Sequence, residues 1–423
     1  MRPLKIAIDA RLAGGSRAGG VESVVLGLAY GLSQLTDGEE EYLFLTRKGE
    51  DGWLRPHLSG PCRVLEGPPK PWPAVNWVQI RIARDHQGVG GAAWDRIRSL
   101  PERVRVPLYV SEGTIEKAGV DLVHFTFQDG FMTDVPAVYH PHDLQHLHLP
   151  QYFDPQILLY REVVYRTMCY QARMVAVSSS WIRADLIRQY GLDQDKVWVV
   201  PLAPVTEAIE APSPAELGAV KEKFGLPDEF LLYPAQTWPH KNHIGLLEAL
   251  ALLRDRRNLR APLVSTGHQN AFFPAIAARA EQLGLNGQLR FLGVVSRREL
   301  ACLYKLCRAV IIPTKFEAAS LPLWEAFLAG APAACSNVTS LPEQAKDAAL
   351  IFDPDDRASI AEAVERLWNE EGLRRDLIER GRRRVADFSW QRTARRFRAH
   401  YRRLAARTLS EQDRELLAAP AGL

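Results

Sequence analysis

Short apolar runs alternate with stretches of helical periodicity along the chain. In the first half, KIAIDARL is predicted to be a buried strand, and ESVVLGLAYGLSQL carries apolar residues at helical spacing. EYLFLT, DLVHF, AVYH, RMVAVS and KVWVVPLAP are further strand candidates. A helix is predicted to start near Ser180 and to stop at Gly191, a residue type that commonly follows a helix.

The same pattern restarts after four prolines between residues 201 and 214, which indicate a linker. FLLYPA, APLVSTG, RFLGVV and AVIIPT are predicted strands, and NHIGLLEALALLR is a predicted helix. Ser296 and Glu299 form a capping box that opens another helix. Strands that alternate with helices predict parallel sheets built from βαβ units.

We therefore predict an α/β fold of two Rossmann-like domains whose parallel sheets face each other across a cleft. The predicted limits are residues 1–205 for the N-terminal domain and 206–385 for the second domain. Residues 386–423 are predicted to form a helical segment that packs back towards the N-terminal domain. Residues 50–118 show no clean period, and we predict helix and loop material at the rim of the first domain.

Composition narrows the class of protein. The chain has 423 residues, 47% of them hydrophobic and 24% charged, which is typical of a globular protein. The net charge of +3 is too small to indicate a nucleic-acid partner. No apolar run reaches the roughly 18 residues of a membrane span, and Asp9 interrupts the start before a signal-peptide core could form. Five scattered cysteines without a CxxC pair favour free thiols, so we expect a cytoplasmic protein.

The segment PTKFEAASLPLWEAFLAGAP at residues 313–332 holds the most informative chemistry. It follows the predicted strand AVIIPT, so Glu317 falls in a loop at the carboxyl edge of the sheet, where open α/β folds bind ligands. Pro322 suits the first turn of a helix that contains Glu325. Leu321 would cap that helix poorly, and Ser320 is the other candidate cap. The N–H groups of this first turn are then available to an anion such as a phosphate.

Two carboxylates beside an anion site fit one kind of ligand. A carboxylate accepts strong hydrogen bonds from hydroxyl groups, so a molecule with central phosphates and sugar diols at both ends suits the arrangement. A nucleotide-sugar has this form, with Glu325 holding the ribose and Glu317 holding the transferred sugar. The alternative is a pair of solvent-facing glutamates on an ordinary βα unit.

Several segments together resemble one enzyme family. KFEAASLPLWEAFLAGAPAACSNVTSLPEQAKDAALIFDP resembles the donor-binding signature of the retaining GT-B glycosyltransferases of family 4. GGVES resembles the family's glycine loop, HPHDLQHLHLPQYF its His-Asp segment, YPAQTWPHKNH its Lys-Asn segment and DFSWQRTARRFRAHY its final helix region. The resemblance spans nearly the whole chain and is greatest to bacterial enzymes of cell-surface polysaccharide assembly.

The resemblance implies roles for individual residues. Glu317 and His142 would act at the reacting sugar, Glu325 would contact the ribose, and Lys241 would pair with the diphosphate. The N-terminal domain would then face the acceptor, and the second domain would bind the donor. The remaining positions implied near the donor are Gly19, Gly20, Ala318, Ala319, Ser320 and Leu321.

The sequence departs from the family pattern at two places. The two glycines that usually follow the first glutamate are replaced here by Ala318 and Ser320, which makes a positive φ costlier in this loop. The arginine that usually precedes the lysine of the Lys-Asn segment is also missing. Lys315 is a candidate replacement.

The family implies a retaining hexosyltransferase, with mannose from GDP-mannose as the favoured donor and a glycan or polyprenyl-linked molecule as acceptor. We predict no bound metal, no cofactor beyond the nucleotide-sugar and no nucleic-acid partner. A sugar-nucleotide epimerase and a non-catalytic sugar-binding module are the alternatives. A dehydrogenase is disfavoured, since no GxGxxG follows the first strand.

Three other features carry alternatives. The histidines between residues 140 and 148 could hold a metal, be solvated or belong to the core, beside the donor-site role of His142. The acid pairs at 193–195 and 353–355 are interpreted as solvated loops. Nine arginines between residues 382 and 403 are interpreted as a solvated helix face, with peripheral contact to an anionic membrane as the alternative.

Overall fold

The computed structural model describes residues 2–12, 20–68, 75–82, 91–204 and 211–419. The chain divides into two compact units. The first unit comprises Met1–Leu202 with Trp390–Leu423, and the second comprises Ala203–Ser389.

The first unit contains the elements up to β9. In chain order they are β1 (Leu4–Asp9), α1 (Gly20–Ser33), β2 (Glu40–Thr46), β3 (Cys62–Glu66), β4 (Val75–Arg81), α2 (Gly91–Ile97), β5 (Arg103–Tyr109), α3 (Thr114–Lys117), β6 (Leu122–Phe125), β7 (Ala137–Tyr139), α4 (Gln145–His148), α5 (Pro155–Gln171), β8 (Met174–Val177), α6 (Ser180–Tyr190) and β9 (Val197–Val199).

Seven strands form the parallel sheet of the first unit, in the order β3-β2-β1-β6-β7-β8-β9. The register aligns Leu4 with Glu40 and Ile6 with Leu122, so the carboxyl ends of β1 and β6 lie at one edge. Helix α6 has Ser179 as its N-cap and Gly191 at φ 62° as its C-cap, as the sequence predicts.

The prediction of helix and loop material for residues 50–118 holds for α2 and α3 but misses three strands. This part of the chain supplies β3 to the main sheet, and β4 and β5 pair as an antiparallel ribbon. The ribbon buries one aliphatic face against α2 and α5, where Val106, Ile97 and Leu158 are buried together. Each strand is only half-buried, so its pattern is too weak to identify a strand.

The second unit contains the elements from α7 to α14. In chain order they are α7 (Pro214–Phe224), β10 (Leu231–Pro234), α8 (His243–Arg257), β11 (Leu263–Thr266), α9 (Phe273–Gln282), β12 (Leu289–Phe291), α10 (Arg297–Leu306), β13 (Ala309–Ile312), α11 (Leu321–Ala329), β14 (Ala333–Ser336), α12 (Leu341–Ala345), β15 (Leu350–Phe352), α13 (Arg357–Asn369) and α14 (Glu371–Val385).

The sheet of the second unit is also parallel, in the order β12-β11-β10-β13-β14-β15. Apolar strands such as Leu231–Pro234 and Ala309–Ile312 pack between helices on both faces, which explains their continuous hydrophobic runs. The predicted capping box of Ser296 and Glu299 opens α10. The prediction of two α/β domains with parallel sheets is confirmed.

Two helices, α15 (Trp390–Leu404) and α16 (Glu411–Ala418), complete the first unit. Helix α15 packs on α1, where the Trp390 ring fills the space that a side chain at Gly27 would need. The Thr393 hydroxyl donates to the carbonyl of Pro201 at 2.8 Å. These contacts fix the end of the chain against the first sheet.

The solvated face predicted for the C-terminal arginines is wrong for α15. Arg396 and Arg398 are buried, and Arg398 pairs with Asp37. Arg402 contacts Glu40 at 2.7 Å and Asp413 at 2.8 Å. The acids that these arginines need come from distant parts of the chain, so the local charge run gives no sign of them.

Five cysteines carry free thiols, and all except the half-buried Cys307 are buried. Within the described ranges, no helix combines the length and the apolar character that crossing a bilayer requires.

Candidate functional site

The loop after β13 is shaped by hydroxyl groups. The Thr314 hydroxyl donates to the carbonyl of Phe316 at 2.9 Å. The Ser336 hydroxyl, at the end of the neighbouring strand, lies 3.0 Å from the carbonyl of Ile312 and 2.6 Å from that of Thr314. These bonds hold the loop at the carboxyl edge of the sheet.

Glu317 is held at its backbone by two hydroxyl side chains. The Thr339 hydroxyl accepts from the N–H of Glu317 at 3.0 Å and donates to its carbonyl at 2.7 Å. The Ser340 hydroxyl donates to the same carbonyl at 2.9 Å. The side chain of Glu317 is 12% exposed and accepts from Lys241 Nζ, with 2.5 Å between Nζ and Oε1. The structure thus joins Lys241 and Glu317, two of the predicted site residues.

Lys241 occupies a tight turn between β10 and α8. The Tyr233 hydroxyl donates to its carbonyl at 2.7 Å. Asn242 follows in a left-handed conformation, with φ 58°, and its amide donates to the carbonyls of Pro313 at 3.0 Å and Pro354 at 2.9 Å. Asn242 therefore ties the turn of Lys241 to the strand end that precedes Glu317.

Helix α11 begins at Leu321 with Ser320 as its N-cap. The Ser320 hydroxyl makes no cap hydrogen bond, and it is buried without a partner in the described part of the chain. The Gln344 amide accepts from the N–H of Ser320 at 2.9 Å and donates to its carbonyl at 2.6 Å. A fixed but uncapped helix start suits an anionic ligand, because its N–H groups and the positive end of the helix dipole face outward.

The loop accommodates the two missing glycines without backbone strain. Ala318 is half-buried and is not among the non-glycine residues with positive φ, and the buried Ser320 has φ −85°. The sequence change that could have redirected this loop is therefore tolerated at negative φ.

Glu325 is 8% exposed on the first turns of α11. Burial raises its pKa to about 7, while a hydrogen bond from the Tyr304 hydroxyl at 2.8 Å opposes that shift. Tyr304 is buried on α10 and lies 21 positions from Glu325 in the chain, so sequence spacing gives no hint of this pair.

Lys315, the candidate replacement for the missing arginine, bonds Asp355 at 2.5 Å. The loop in which the family usually has its arginine contains Gln236. The side chain of Gln236 accepts a hydrogen bond from the indole N–H of Trp238 at 2.7 Å. Gly267, at the end of β11, has φ 121°, and a Cβ there would lie 2.6 Å from the Ala235 backbone. Only glycine permits this approach of the two loops, a requirement that sequence reasoning missed.

His142 lies at the carboxyl edge of the first unit's sheet. It has φ 65°, a conformation that costs a non-glycine residue free energy and that often marks functional sites. Its Nε2 lies 3.0 Å from the carbonyl oxygen of Thr126. A carbonyl only accepts, so Nε2 carries the proton, and Nδ1 of the neutral ring is an acceptor. Burial lowers the pKa of His142, which favours this neutral form.

Two of the neighbouring histidines, His140 and His146, belong to the core, whereas His148 is 25% exposed and pairs with Asp185 at 2.7 Å. His140 stacks on His142 with 4.3 Å between ring centroids, and His124 Nδ1 lies 2.7 Å from the Tyr401 hydroxyl. His146 pairs separately with Glu162 at 2.9 Å. Among the residues that the structure describes, no group of three or more His, Cys, Asp or Glu side chains could hold a metal ion.

A buried ion pair lies at the end of β1. Arg11 binds both carboxylate oxygens of Asp9 at 2.6 Å and lies over the Phe131 ring at 4.7 Å. Gly20 is the exposed first residue of α1, and Gly19 lies outside the described residues. The Asp9–Arg11 pair was missed because neither residue stands in a familiar motif.

Comparison with known proteins identifies both halves of the chain. A family model described as "Glycosyltransferase Family 4" matches residues 18–204, and one described as "Glycosyl transferases group 1" matches residues 219–384. The two matches together cover most of the chain. The protein therefore belongs to the family 4 glycosyltransferases, as the sequence motifs indicate.

Two of the relatives are bacterial mannosyltransferases. The chain is 31% identical over 251 residues to the O-antigen chain mannosyltransferase B of Escherichia coli, covering 59% of this chain and 66% of that protein. It is 35% identical over 184 residues to the serotype-specific mannosyltransferase WbdA of Escherichia coli, covering 43% of this chain and 23% of that protein. The chain thus matches less than two thirds of the length of either curated relative.

A solved structure shows the fold. The Anabaena protein Alr3699/HepE, crystallised with UDP and glucose, matches with a TM-score of 0.68 at 16% identity, over 94% of this chain and 99% of that chain. The predicted GT-B fold is confirmed.

Proposed function

We propose that the protein transfers mannose from GDP-mannose, with retention at the anomeric carbon and without a divalent metal, to a glycan or polyprenyl-linked acceptor. The names of the relatives support the sugar, and the family resemblance supports retention. The observation that carries the proposal is the ion pair of Lys241 and Glu317 beside the uncapped start of α11.

The departing diphosphate gains negative charge as the bond to the sugar breaks, and fixed cations and dipoles can stabilise that charge in place of a metal. Lys241 and the N-terminus of α11 supply both. In the free protein Lys241 bonds Glu317, so a bound diphosphate would draw the ammonium group away. Glu317 would then accept hydrogen bonds from hydroxyl groups of the sugar.

The remaining residues bind the two ends of the donor, which are the ribose and the transferred sugar. Glu325, held by Tyr304, accepts from the ribose hydroxyls. The unprotonated Nδ1 of His142 accepts a hydrogen bond from a hydroxyl group of the transferred sugar. The sugar–diphosphate C–O bond breaks, the acceptor oxygen bonds the same carbon, and the acceptor proton leaves with the diphosphate.

A nucleotide panel tests the donor directly. We expect GDP to raise the thermal stability of the protein more than UDP or ADP, since a ligand at 100 Kd adds about 2.7 kcal/mol. A larger effect of UDP or ADP would contradict the guanosine donor.

Transfer and its stereochemistry need a second assay. With GDP-mannose and an extracted cell-envelope glycolipid, NMR of the product should show an α-linked mannose. Conversion of the donor without acceptor would indicate an epimerase, and an inverted product would reject retention. Glu317→Gln should slow transfer while GDP affinity, measured by calorimetry, stays within about three-fold of wild type. A parallel loss of GDP affinity would reject the assignment of Glu317 to the sugar.

A further inference from the structure

Trp238 is exposed at the carboxyl edge of the second unit's sheet. It follows β10 and is 48% exposed. In the same unit Trp324 is buried, and the half-buried Trp368 packs under the guanidinium of Arg308. The indole N–H of Trp238 is already bonded to Gln236, so its exposed surface is mainly aromatic carbon. A large apolar group left open beside a candidate site indicates a ligand contact.

Hydrogen bonds hold the loop of Trp238 in one position. The N–H of the buried Thr237 donates to the carbonyl of His268 at 3.2 Å, and the Thr237 hydroxyl accepts from the N–H of Asn270 at 2.9 Å. Pro239 follows Trp238 and fixes the φ angle at the start of the next turn. An indole on a rigid loop loses little conformational entropy when a ligand packs on it.

Trp238 adjoins Lys241 on the side away from the two glutamates. The N–H of Lys241 donates to the carbonyl of Trp238 at 2.9 Å, so both residues belong to one turn. Glu317 and Glu325 follow β13, which pairs with one side of β10. Thr237 instead bonds to residues that follow β11, on the other side of β10. A donor held by Lys241 and the two glutamates therefore leaves the indole open to a second ligand.

We propose that Trp238 is a stacking platform for a sugar ring of the acceptor. The face of an aromatic ring carries negative partial charge, and the C–H bonds on one face of a pyranose carry positive partial charge, so the two attract each other. The acceptor is therefore a molecule whose reactive end is a sugar, and this ring lies beside the cation that binds the departing diphosphate. The inference rests on the proposed function, because it specifies the acceptor of the same reaction.

Fluorine NMR of the protein labelled with fluorotryptophan tests the contact directly. The resonance of Trp238 is the one that is missing from the spectrum of Trp238→Phe. We expect α-linked mannotriose, added without any donor, to shift this resonance. Saturation-transfer NMR of the sugar then measures Kd in every variant. Kd should rise about ten-fold in Trp238→Ala and less than about three-fold in Trp238→Phe, because phenylalanine retains an aromatic face.

The transfer assay separates the acceptor from the donor. Trp238→Ala should raise KM for the extracted glycolipid about ten-fold and leave KM for GDP-mannose unchanged. Its GDP affinity, measured by calorimetry, and its melting temperature should match those of wild type. A loss of GDP affinity would place the guanine base on the indole, and a rise in donor KM alone would place the transferred sugar there. Either result would overturn the proposal.

The matched control is Ile351→Ala, which removes an exposed apolar side chain from β15 of the same unit. This variant should bind mannotriose like wild type, and an equal loss in it would overturn the proposal. An unshifted Trp238 resonance in a protein that binds GDP would overturn the sugar contact and leave the proposed transfer reaction standing. Mannotriose bound at Trp238 without any transfer from GDP-mannose would reject the reaction and keep the sugar contact.

Discussion

The loop edge of the second unit and the histidine edge of the first unit are built in opposite ways. Lys241 and Glu317 form a charged pair whose side chains remain 20% and 12% exposed. His124, His140 and His142 are buried, and burial lowers the pKa of each. One edge offers fixed charge, and the other offers neutral hydrogen-bonding groups.

This difference indicates where charge is expected to develop during the transfer reaction. Fixed charge is most useful beside an atom whose charge changes during the reaction. The charged edge is therefore suited to a diphosphate, and the neutral edge is suited to sugar hydroxyls. Each of the following experiments changes a residue in one of the two units.

The largest effect is expected at Lys241. Lys241→Ala should lower kcat/KM for transfer about 10³-fold, because the departing diphosphate loses its nearest cation. Initial rates with excess EDTA and with magnesium would measure this, and wild type should be insensitive to EDTA. Lys315→Ala, whose partner is the exposed Asp355, should change the rate by less than about three-fold. Loss of wild-type activity in EDTA with rescue by magnesium would contradict the metal-free mechanism.

The next effect is expected at His142. His142→Gly should lower kcat about 10²-fold, the cost of losing one hydrogen bond in the transition state. Glycine adopts φ 65° without strain, so the melting temperature should not fall through the backbone. GDP affinity by calorimetry should be unchanged. An unaltered kcat would reject the role of His142.

Because of Glu325, the free energy of unfolding and the affinity for GDP should depend on pH in opposite directions. Its folded pKa of about 7 lies above the unfolded value, so its stability contribution is present at low pH and is lost as pH rises through 7. The loss is on the order of 3 kcal/mol, measurable by denaturant unfolding. GDP affinity should instead rise about ten-fold from pH 6 to pH 8, because the ionised carboxylate accepts more strongly. Glu325→Gln should flatten both profiles, and a flat profile in wild type would contradict the assignment.

The smallest effect is expected at Tyr304. Tyr304→Phe removes one hydrogen bond to Glu325 and should weaken GDP binding three- to ten-fold, or about 1 kcal/mol. The change should appear in KM with kcat nearly constant, since the ribose is remote from the reacting carbon. A change in kcat alone would place Tyr304 in another role.

Sequence reasoning succeeded where local patterns carry the information. The strands ending near Pro313, the cap at Ser296 and the left-handed Gly191 follow from apolar runs and single residue types. It also singled out Lys241 and Glu317, which the structure joins.

Apart from the local Asp9–Arg11 pair, the misses share one physical cause, which is that the partner is distant in the chain. Glu325 depends on Tyr304 through space, and the arginines of α15 depend on Asp37 and Glu40. The ribbon of β4 and β5 rests on a small core contributed by α2 and α5, which its own weak alternation does not reveal.

The packing of α15 on the first unit has a consequence for the folding of the protein during its translation. Trp390 against Gly27 and Tyr401 against His124 join residues that leave the ribosome hundreds of positions apart. The continuous second unit can therefore fold during translation, while the first unit waits for a helix that is synthesised after it. Until then the stacked histidines lack their packing contact with α15. The sheet edge that carries His142 is therefore complete only after the sequence beyond residue 389 has left the ribosome.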